Sequence, residues 1–462
     1  MAFLLFSNGP STRGSLFVGG TRAFVPERIL LTTPRREALN AGFNVSGQFG
    51  SAVSNICCFD ASHAKSVTRK GLMDKDEIGE LRKRIEGLDA QIVQLLSDRA
   101  RHAQEIGRLK HLNEIPVFDG CRERAVLDAL AAGNAGPLPN SALRRIFTEI
   151  ISACRALQGP TTVSFLGPEA TFSHQAALEY FGRSCSFVPT DSIVDVFRQV
   201  EIGHVDFGVV PVENSTEGTV GLTLDQLAVT QVGICAEIFL RVSHALMSAE
   251  RDLGTIERVF SHPQAIAQCL GWLSNKLPGR SLIHTSSTAA AAQRASQESG
   301  TAAVGSEMLA GVYGLEVLAR DIQDRALNLT RFLVIGNQEN ARTGQDKTSV
   351  LFAVSHHPGA LREALTPFAE QEVNISRIES RPSKETPWEY VFFLDLEGHL
   401  ADEGVATSVK KLAACVSRLK ILGSYPAGTL MNRDRASRSN RHAVSVSDDA
   451  DNEPSSPLSK AR

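Results

Sequence analysis

The sequence predicts a multidomain chain, with an all-α segment first, a larger α/β segment second and a small α+β segment third. Three observations carry this. Between Ile78 and Leu95 apolar residues recur at alternating spacings of three and four. From Thr161 short β-rich runs alternate with helical stretches. From Thr348 to Leu422 the pattern reads βαββαβ. The 462 residues leave room for roughly three domains, and 42% hydrophobic with 21% charged residues is ordinary globular composition.

In the first segment Ile78, Leu81, Ile85, Leu88, Ile92 and Leu95 form an a/d seam on a helix over about 76–112. Such a helix is on the order of 55 Å long, too long for a compact monomeric bundle, so the seam calls for a helix from a second copy. Pro116 ends it. A second helix follows over about 120–132 and a third over about 141–157, with Ile146, Ile150 and Ile151 on its apolar side. The register puts Arg99 at an a position, where a charge is costly unless paired. Lys110, about three turns on, shares that face. Asp119 and Glu123 share a face of the second helix, and Cys154 and Gln158 share one of the third. Two readings stand: a salt-bridge network of Arg99 and Lys110 with Asp119 and Glu123, or a pair of cations that receives an anion.

The second segment predicts strands over 162–166, 186–188, 207–212, 232–239, 258–260, 281–284, 302–304 and 332–335. Polar residues gather at strand ends, in Val212-Glu213-Asn214-Ser215-Thr216-Glu217-Gly218-Thr219 and in Thr330-Arg331-Phe332. Open α/β sheets bind small ligands at such ends. Ser261-His262-Pro263-Gln264 has the form of a capping box, Ser287-Thr288-Ala289-Ala290 of a helix start, and 214–218 of a turn. Helix N-termini also receive anions, so structural and ligand-binding readings coexist there. The third segment predicts strands over 348–354, 375–380, 390–396 and 419–422, with helices from about Gly359 and Asp402, a ferredoxin-like arrangement.

A net charge of −3 gives no case for a nucleic-acid partner, and no apolar run reaches the roughly 20 residues of a membrane span. The 8 cysteines are scattered without a C-x-x-C pair, which argues against a zinc site or disulfide framework and suits a reducing compartment. Residues 1–72 carry Arg13, Arg22, Arg28, Arg35, Arg36, Lys65, Arg69 and Lys70 against Glu27, Glu37 and Asp60, the bias of a transit peptide. Met73, just before the first helix, leaves an overlong reading frame as the alternative. Little fixed structure is expected over 1–72 or in the polar tail 427–462. The expected domains are 73–159, 160–338 and 346–426.

The motifs also carry a resemblance. Residues 76–158 resemble the helical chorismate mutase of the AroQ class. Residues 161–337 resemble prephenate dehydratase through Phe165-Leu166-Gly167-Pro168-Glu169-Ala170-Thr171-Phe172-Ser173 and the motifs at 212–219, 261–264, 287–290 and 330–332. Residues 347–425 resemble an ACT regulatory domain through Pro358-Gly359-Ala360-Leu361 and Glu379-Ser380-Arg381-Pro382. In this order they resemble the bifunctional chorismate mutase–prephenate dehydratase (P-protein) family.

That resemblance implies chorismate to prephenate on the helices, then prephenate to phenylpyruvate in a two-lobed domain like a periplasmic binding protein, with phenylalanine as inhibitor. It implies no metal or cofactor, no nucleic acid or membrane partner, and a homodimer or higher homo-oligomer. The location is cytoplasmic, or a plastid or other organelle if 1–72 is a transit peptide. Chorismate falls to Arg82, Arg99, Lys110, Asp119, Arg122, Glu123, Cys154 and Gln158. Lys110 and Gln158 donate to the ether oxygen, while Asp119 and Glu123 orient Lys110 or the ring hydroxyl. Cys154 stands where the family commonly has serine. Arg82, roughly 100° around the helix from Arg99, serves the partner's site. Prephenate falls to Thr171, Ser173, Glu213, Asn214, Ser215, Gln264, Ser287, Thr288, Thr330 and Arg331. Thr330 bonds the leaving hydroxyl, Glu213 is the candidate acid, and Arg331 alternatively supports the fold. Phenylalanine falls to Gly359, Ala360, Leu361, Glu379, Ser380, Arg381 and Pro382. Two rivals share these features: a solute-binding protein of the same cleft fold, and a dehydratase whose helices only dimerise.

Overall fold

The computed structural model describes residues 61–383 and 389–428, with side chains from 77 onward. The expectations for 1–60 and 429–462 lie outside the described residues. The chain divides into two compact units, Met1–Gly79 and Glu80–Arg462, and the sheets and clefts described below belong to the second.

The helical region consists of α1 (Ala61–Leu112), α2 (Gly120–Ala132) and α3 (Asn140–Ala156). Helix α1 starts well before residue 76, so 61–72 is helical rather than without fixed structure. Its opening holds no proline, and its Ala61, Ala64, Lys65, Arg69, Lys70, Leu72 and Met73 favour helix even without an apolar stripe. Asp119 caps α2 by accepting the Arg122 N–H at 2.9 Å. The α1 seam is open to solvent, with Ile85, Leu88, Ile92 and Leu95 each more than half exposed.

The α/β region begins with β1 (Thr162–Leu166), α4 (Phe172–Phe181), β2 (Ser186–Thr190), α5 (Ile193–Glu201), β3 (Phe207–Asn214), β4 (Gly218–Thr219), α6 (Gly221–Val229) and β5 (Gly233–Arg241). The chain then builds a second lobe from β6 (Ala245–Ser248), β7 (Arg258–Ser261), α7 (Pro263–Gln268), α8 (Leu270–Lys276), β8 (Ser281–His284), α9 (Thr288–Ala295), β9 (Thr301–Gly305), α10 (Met308–Tyr313) and β10 (Glu316–Ala319). It returns to the first lobe as β11 (Leu329–Gly336). The first sheet has the order β2-β1-β3-β11-β5 with β4 on β3, and the second β10-β6-β9-β7-β8. Strands β6 and β10, of four residues each, were not among the predicted strands. Two strand connections join the lobes, so a cleft lies between them.

The third region is β12 (Asp346–Ala353), α11 (Ala360–Glu370), β13 (Ile375–Pro382), β14 (Tyr390–Glu397), α12 (Glu403–Cys415) and β15 (Arg418–Pro426), in the sheet order β13-β14-β12-β15. It is not a free appendage. Leu351, Phe393 and Tyr425 share one buried cluster with Val212, Leu333 and Ile335 of the first lobe. Edge strand β15 lies against edge strand β5. At Gly423 (φ +154°) a Cβ would come within 2.3 Å of Ile234 O, so only glycine permits the approach. The Asn340 amide bridges Cys235 O (2.9 Å) and Ser424 O (3.0 Å) across the two edges.

Candidate active sites

Strand pairing builds the cleft wall. In the β3–β11 register Thr330 lies opposite Asn214 and Arg331 opposite Glu213. Side chains alternate across a strand, so Asn214 and Thr330 face the cleft while Glu213 and Arg331 face the third region. The cleft, about 250 Å³, is lined by Thr171 and Ser173, by Gln264, and by Ser287 and Thr288, together with Asn214 and Thr330. Three predicted residues are not brought there. Glu213 pairs with Arg377 at 3.2 Å. Arg331 is buried against Glu237 (2.7 Å) and Asp395 (2.6 Å) and donates to Tyr425 Oη at 3.2 Å. Ser215 Oγ accepts the Leu329 N–H at 3.0 Å and ties its loop to β11. Glu213 is therefore no acid of this cleft.

Asn214 is held from every side. Its Oδ1 accepts the N–H groups of Thr216 (2.9 Å) and Glu217 (3.2 Å) and the Thr216 hydroxyl. Its Nδ2 donates to Asn328 Oδ1 (2.9 Å) and to Thr330 Oγ1 (2.8 Å). Thr330 thus has one lone pair occupied, and its own O–H remains to donate into the cleft. The network continues from Asn328 Nδ2 to Gln268 Oε1 (2.8 Å) and from Gln268 Nε2 to Glu217 Oε1 (2.8 Å). Gln268 and His244 also line the cleft, and both were missed in the sequence. Gln268 lies one turn after Gln264 on the same face, a legible signal. His244 sits in a short connection that has none.

Helix starts supply further donors. Thr171 caps α4, accepting the His174 N–H at 3.4 Å, and Ser287 caps α9, accepting the Ala290 N–H at 3.0 Å. The capping box expected at Ser261 is displaced by one residue. His262 is the N-cap of α7, while buried Ser261 belongs to β7 and donates to Val304 O at 2.6 Å.

The helical region differs. The salt-bridge network of Arg99 and Lys110 with Asp119 and Glu123 does not form. Arg99 Nη1 points to Ile150 O at 3.5 Å, and Lys110 Nζ donates to Val117 O at 2.7 Å. Glu123 is taken by Arg155 Nη1 at 2.5 Å. Arg155, missed in the sequence, is 3% exposed, donates also to Phe181 O and Cys185 Sγ, and lies over the Phe118 ring. Burial pushes the Glu123 carboxyl above its ordinary range, with Arg155 opposing. Arg82 and Arg122 are exposed and Cys154 is buried. Gln158 Oε1 is buried without a partner.

In the third region Gly359, Ala360 and Leu361 line a cavity of about 720 Å³ with Tyr390 and Phe392. The second predicted motif splits by strand alternation. Glu379 accepts from Thr219 Oγ1 at 3.0 Å and Arg381 pairs with Asp225 at 3.0 Å, both turned onto the first lobe. Ser380 and Pro382 are exposed on the other face.

Family models for chorismate mutase type II, prephenate dehydratase and the ACT domain match residues 81–159, 163–340 and 348–414. A bifunctional chorismate mutase/prephenate dehydratase of Aquifex aeolicus is 45% identical over 77% of this chain and 99% of its own length. The chain belongs to the bifunctional chorismate mutase/prephenate dehydratase family. The Escherichia coli K12 member is 34% identical over 77% of this chain and 97% of its own. Among solved structures, a prephenate dehydratase of Arthrobacter aurescens in complex with L-Phe has a TM-score of 0.54 at 36% identity, covering 58% of this chain and 90% of that one. A structure titled as a quorum-quenching acylase, GqqA, has a TM-score of 0.54 at 28% identity, covering 58% and 98%. The mutase part is thus α1–α3, the dehydratase part the two lobes, and the ACT part the third region.

Proposed function

We propose that the chain converts chorismate to prephenate on its helices and prephenate to phenylpyruvate in the cleft, under inhibition by phenylalanine. The observation that carries the dehydratase reading is the meeting, in one cleft, of Thr330 with a free hydroxyl proton, Asn214 and two capped helix starts. Prephenate has two carboxylates, and helix N-termini and hydroxyls supply donors for them. Carbon dioxide leaves with the C–C electron pair flowing into the ring. The C4–O bond breaks, and the departing hydroxyl becomes water with a proton that comes ultimately from solvent. Thr330 donates a hydrogen bond to that oxygen as negative charge grows on it. The acylase reading of the fold is disfavoured by the histidines. Neither His244 nor His262 meets a protein hydroxyl as the base of a nucleophile would: His244 Nε2 bonds Gln268 Oε1 and His262 Nδ1 accepts the Gln264 N–H.

For the mutase step the chemistry is a unimolecular shift, so holding the reactive conformer and stabilising the ether oxygen suffice. Arg99, Lys110 and Gln158 are our choice of groups, with Arg82 reaching the site of a second copy. The open seam of α1 supports a homodimer in which that copy covers Ile85, Leu88, Ile92 and Leu95. Glu123, committed to Arg155, acts on the mutase pocket through its field and not as a free carboxylate.

Phenylalanine is assigned to the cavity at Gly359–Leu361. Strands β13 and β14 offer the route to the cleft, since Arg377 of β13 holds Glu213, the neighbour of Asn214, and Asp395 of β14 holds Arg331, the neighbour of Thr330. Six described cysteines are free thiols, which suits a reducing compartment such as the cytoplasm. The test is to supply chorismate alone and follow phenylpyruvate by its absorbance in base. Formation from prephenate but not from chorismate would sink the mutase half, and the reverse accumulation of prephenate would sink the dehydratase half.

A further inference from the structure

His244 lies between β5 and β6 and lines the cleft with 2% of its surface exposed. Its Nε2 is 2.9 Å from Gln268 Oε1, while its Nδ1 is buried without a hydrogen-bond partner. The polarity of the surrounding network decides which nitrogen carries the proton. Asn214 Oδ1 must be an oxygen, because the backbone N–H groups of Thr216 and Glu217 point at it. Asn214 Nδ2 therefore donates to Asn328 Oδ1, and Asn328 Nδ2 in turn donates to Gln268 Oε1. From the other end, Gln268 Nε2 donates to the Glu217 carboxylate, which accepts only. Both ends make Gln268 Oε1 an acceptor, so His244 Nε2 holds the proton. In a neutral imidazole Nδ1 is then a bare acceptor. Burial holds this imidazole below its ordinary pKa against the Gln268 bond, which favours the neutral form.

A bare buried acceptor is out of place in a cleft for a dianion, whose wall also presents the Thr330 hydroxyl and the starts of α4 and α9. Prephenate itself resolves the mismatch. Its two carboxylates and its keto group only accept, and it has a single donor, the ring hydroxyl. We propose that His244 Nδ1 accepts the hydrogen bond of that hydroxyl and so orients the substrate with its leaving group beside Thr330. This rests on the dehydratase reading. The lone pair of Nδ1 repels the carboxylates and so sorts the hydroxyl end from the acidic ends. A neutral acceptor does not protonate the leaving group; His244 positions it. Phenylpyruvate has no hydroxyl there, so the contact distinguishes substrate from product.

Two substitutions in the full chain separate the nitrogens. The amide of His244→Gln falls near Nε2 and keeps a donor for Gln268, but leaves nothing at Nδ1. The Oδ1 of His244→Asn falls near Nδ1 and restores an acceptor. We expect H244Q to lose about 10- to 100-fold in kcat/KM for prephenate, with inhibition by added phenylpyruvate and the mutase rate unchanged, and H244N to recover part of the loss. The proposal is overturned if H244Q stays within about twofold of wild type, if it weakens phenylpyruvate as much as prephenate, or if H244N gives no recovery. A wild-type chain that released no phenylpyruvate from prephenate would instead overturn the dehydratase reading.

Discussion

The dehydratase cleft and the mutase helices handle similar dianions by opposite constructions. In the cleft, Asn214 is fixed by five hydrogen bonds and fixes Thr330 in turn, so the site is complete within one chain. On the helices Arg82 is exposed, Arg99 and Lys110 reach only backbone carbonyls, and the adjoining seam is open to solvent. Preorganisation is finished in the first and, on our reading, waits for a second copy in the other. The difference teaches where rigidity comes from. Strands hold the cleft through pairing on both sides, whereas a single helix fixes the height and angle of a side chain but builds no wall opposite it.

The comparison can be broken by substitutions, taken from the largest expected effect downward. Thr330→Ala removes the donor to the leaving oxygen and should lower dehydratase kcat by about 10³, leaving chorismate consumption within twofold. Equal loss of both rates in a folded variant would mean that the sites are not separate. Lys110→Ala should cost about 10² in mutase kcat and nothing in prephenate turnover. A near-normal mutase rate would mean that Lys110 serves only its bond to Val117 O.

Arg331→Ala tests whether the cleft is braced from behind. It leaves buried Asp395 without its ion pair, while Glu237 keeps Lys347 at 2.8 Å, and should destabilise the fold by ~3–5 kcal/mol in denaturant titrations at neutral pH. The pH dependence has a definite sign. Burial alone would raise Asp395, but Arg331, Ser349 and Arg377 together hold it below its ordinary value of 3.8. Its contribution in the wild type is therefore present above that value and is lost as pH falls below it. In the variant the carboxyl is pushed up instead, so the stability gap should narrow as pH falls through about 4. A gap independent of pH would contradict the pairing. Gly359→Ala is the mildest of the four. Gly359 sits at φ +90° at the start of α11, where any side chain is strained. Sensitivity to phenylalanine should fall severalfold, roughly the ~1 kcal/mol scale of such coupling, with uninhibited turnover retained. An unchanged inhibition curve would move the effector elsewhere.

Much of the cleft was legible in the sequence because its residues sit at strand ends and helix starts, positions marked by polar residues after apolar runs. The choice between neighbours was not. Period two says that Glu213 and Asn214, or Thr330 and Arg331, face opposite ways, yet which one meets the ligand depends on what covers the other side of the sheet. There the third region takes Glu213 and Arg331, and a local pattern cannot report a partner so distant in sequence. The same alternation divided Glu379 and Arg381 from Ser380 and Pro382. On the helices the seam and the misplaced Arg99 were readable from spacing. Arg155, on the buried side of α3 beside Cys154, gave a signal of the same kind and was passed over.

The meeting of β5 and β15 has a consequence for solubility. Each is the last strand of its sheet, and an uncovered last strand invites pairing with another chain. Here the two cover each other, with Gly423 allowing the approach and Asn340 clipping the carbonyls of both. A chain cut after Gln338 would bare the outer edge of Gly233–Arg241 and uncover Ile234, which shares a buried cluster with Leu422 and Tyr425. Such a fragment would form a ribbon prone to aggregation. The effector domain thus also acts as an edge guard, and release from feedback by losing it would come at the expense of the soluble catalyst.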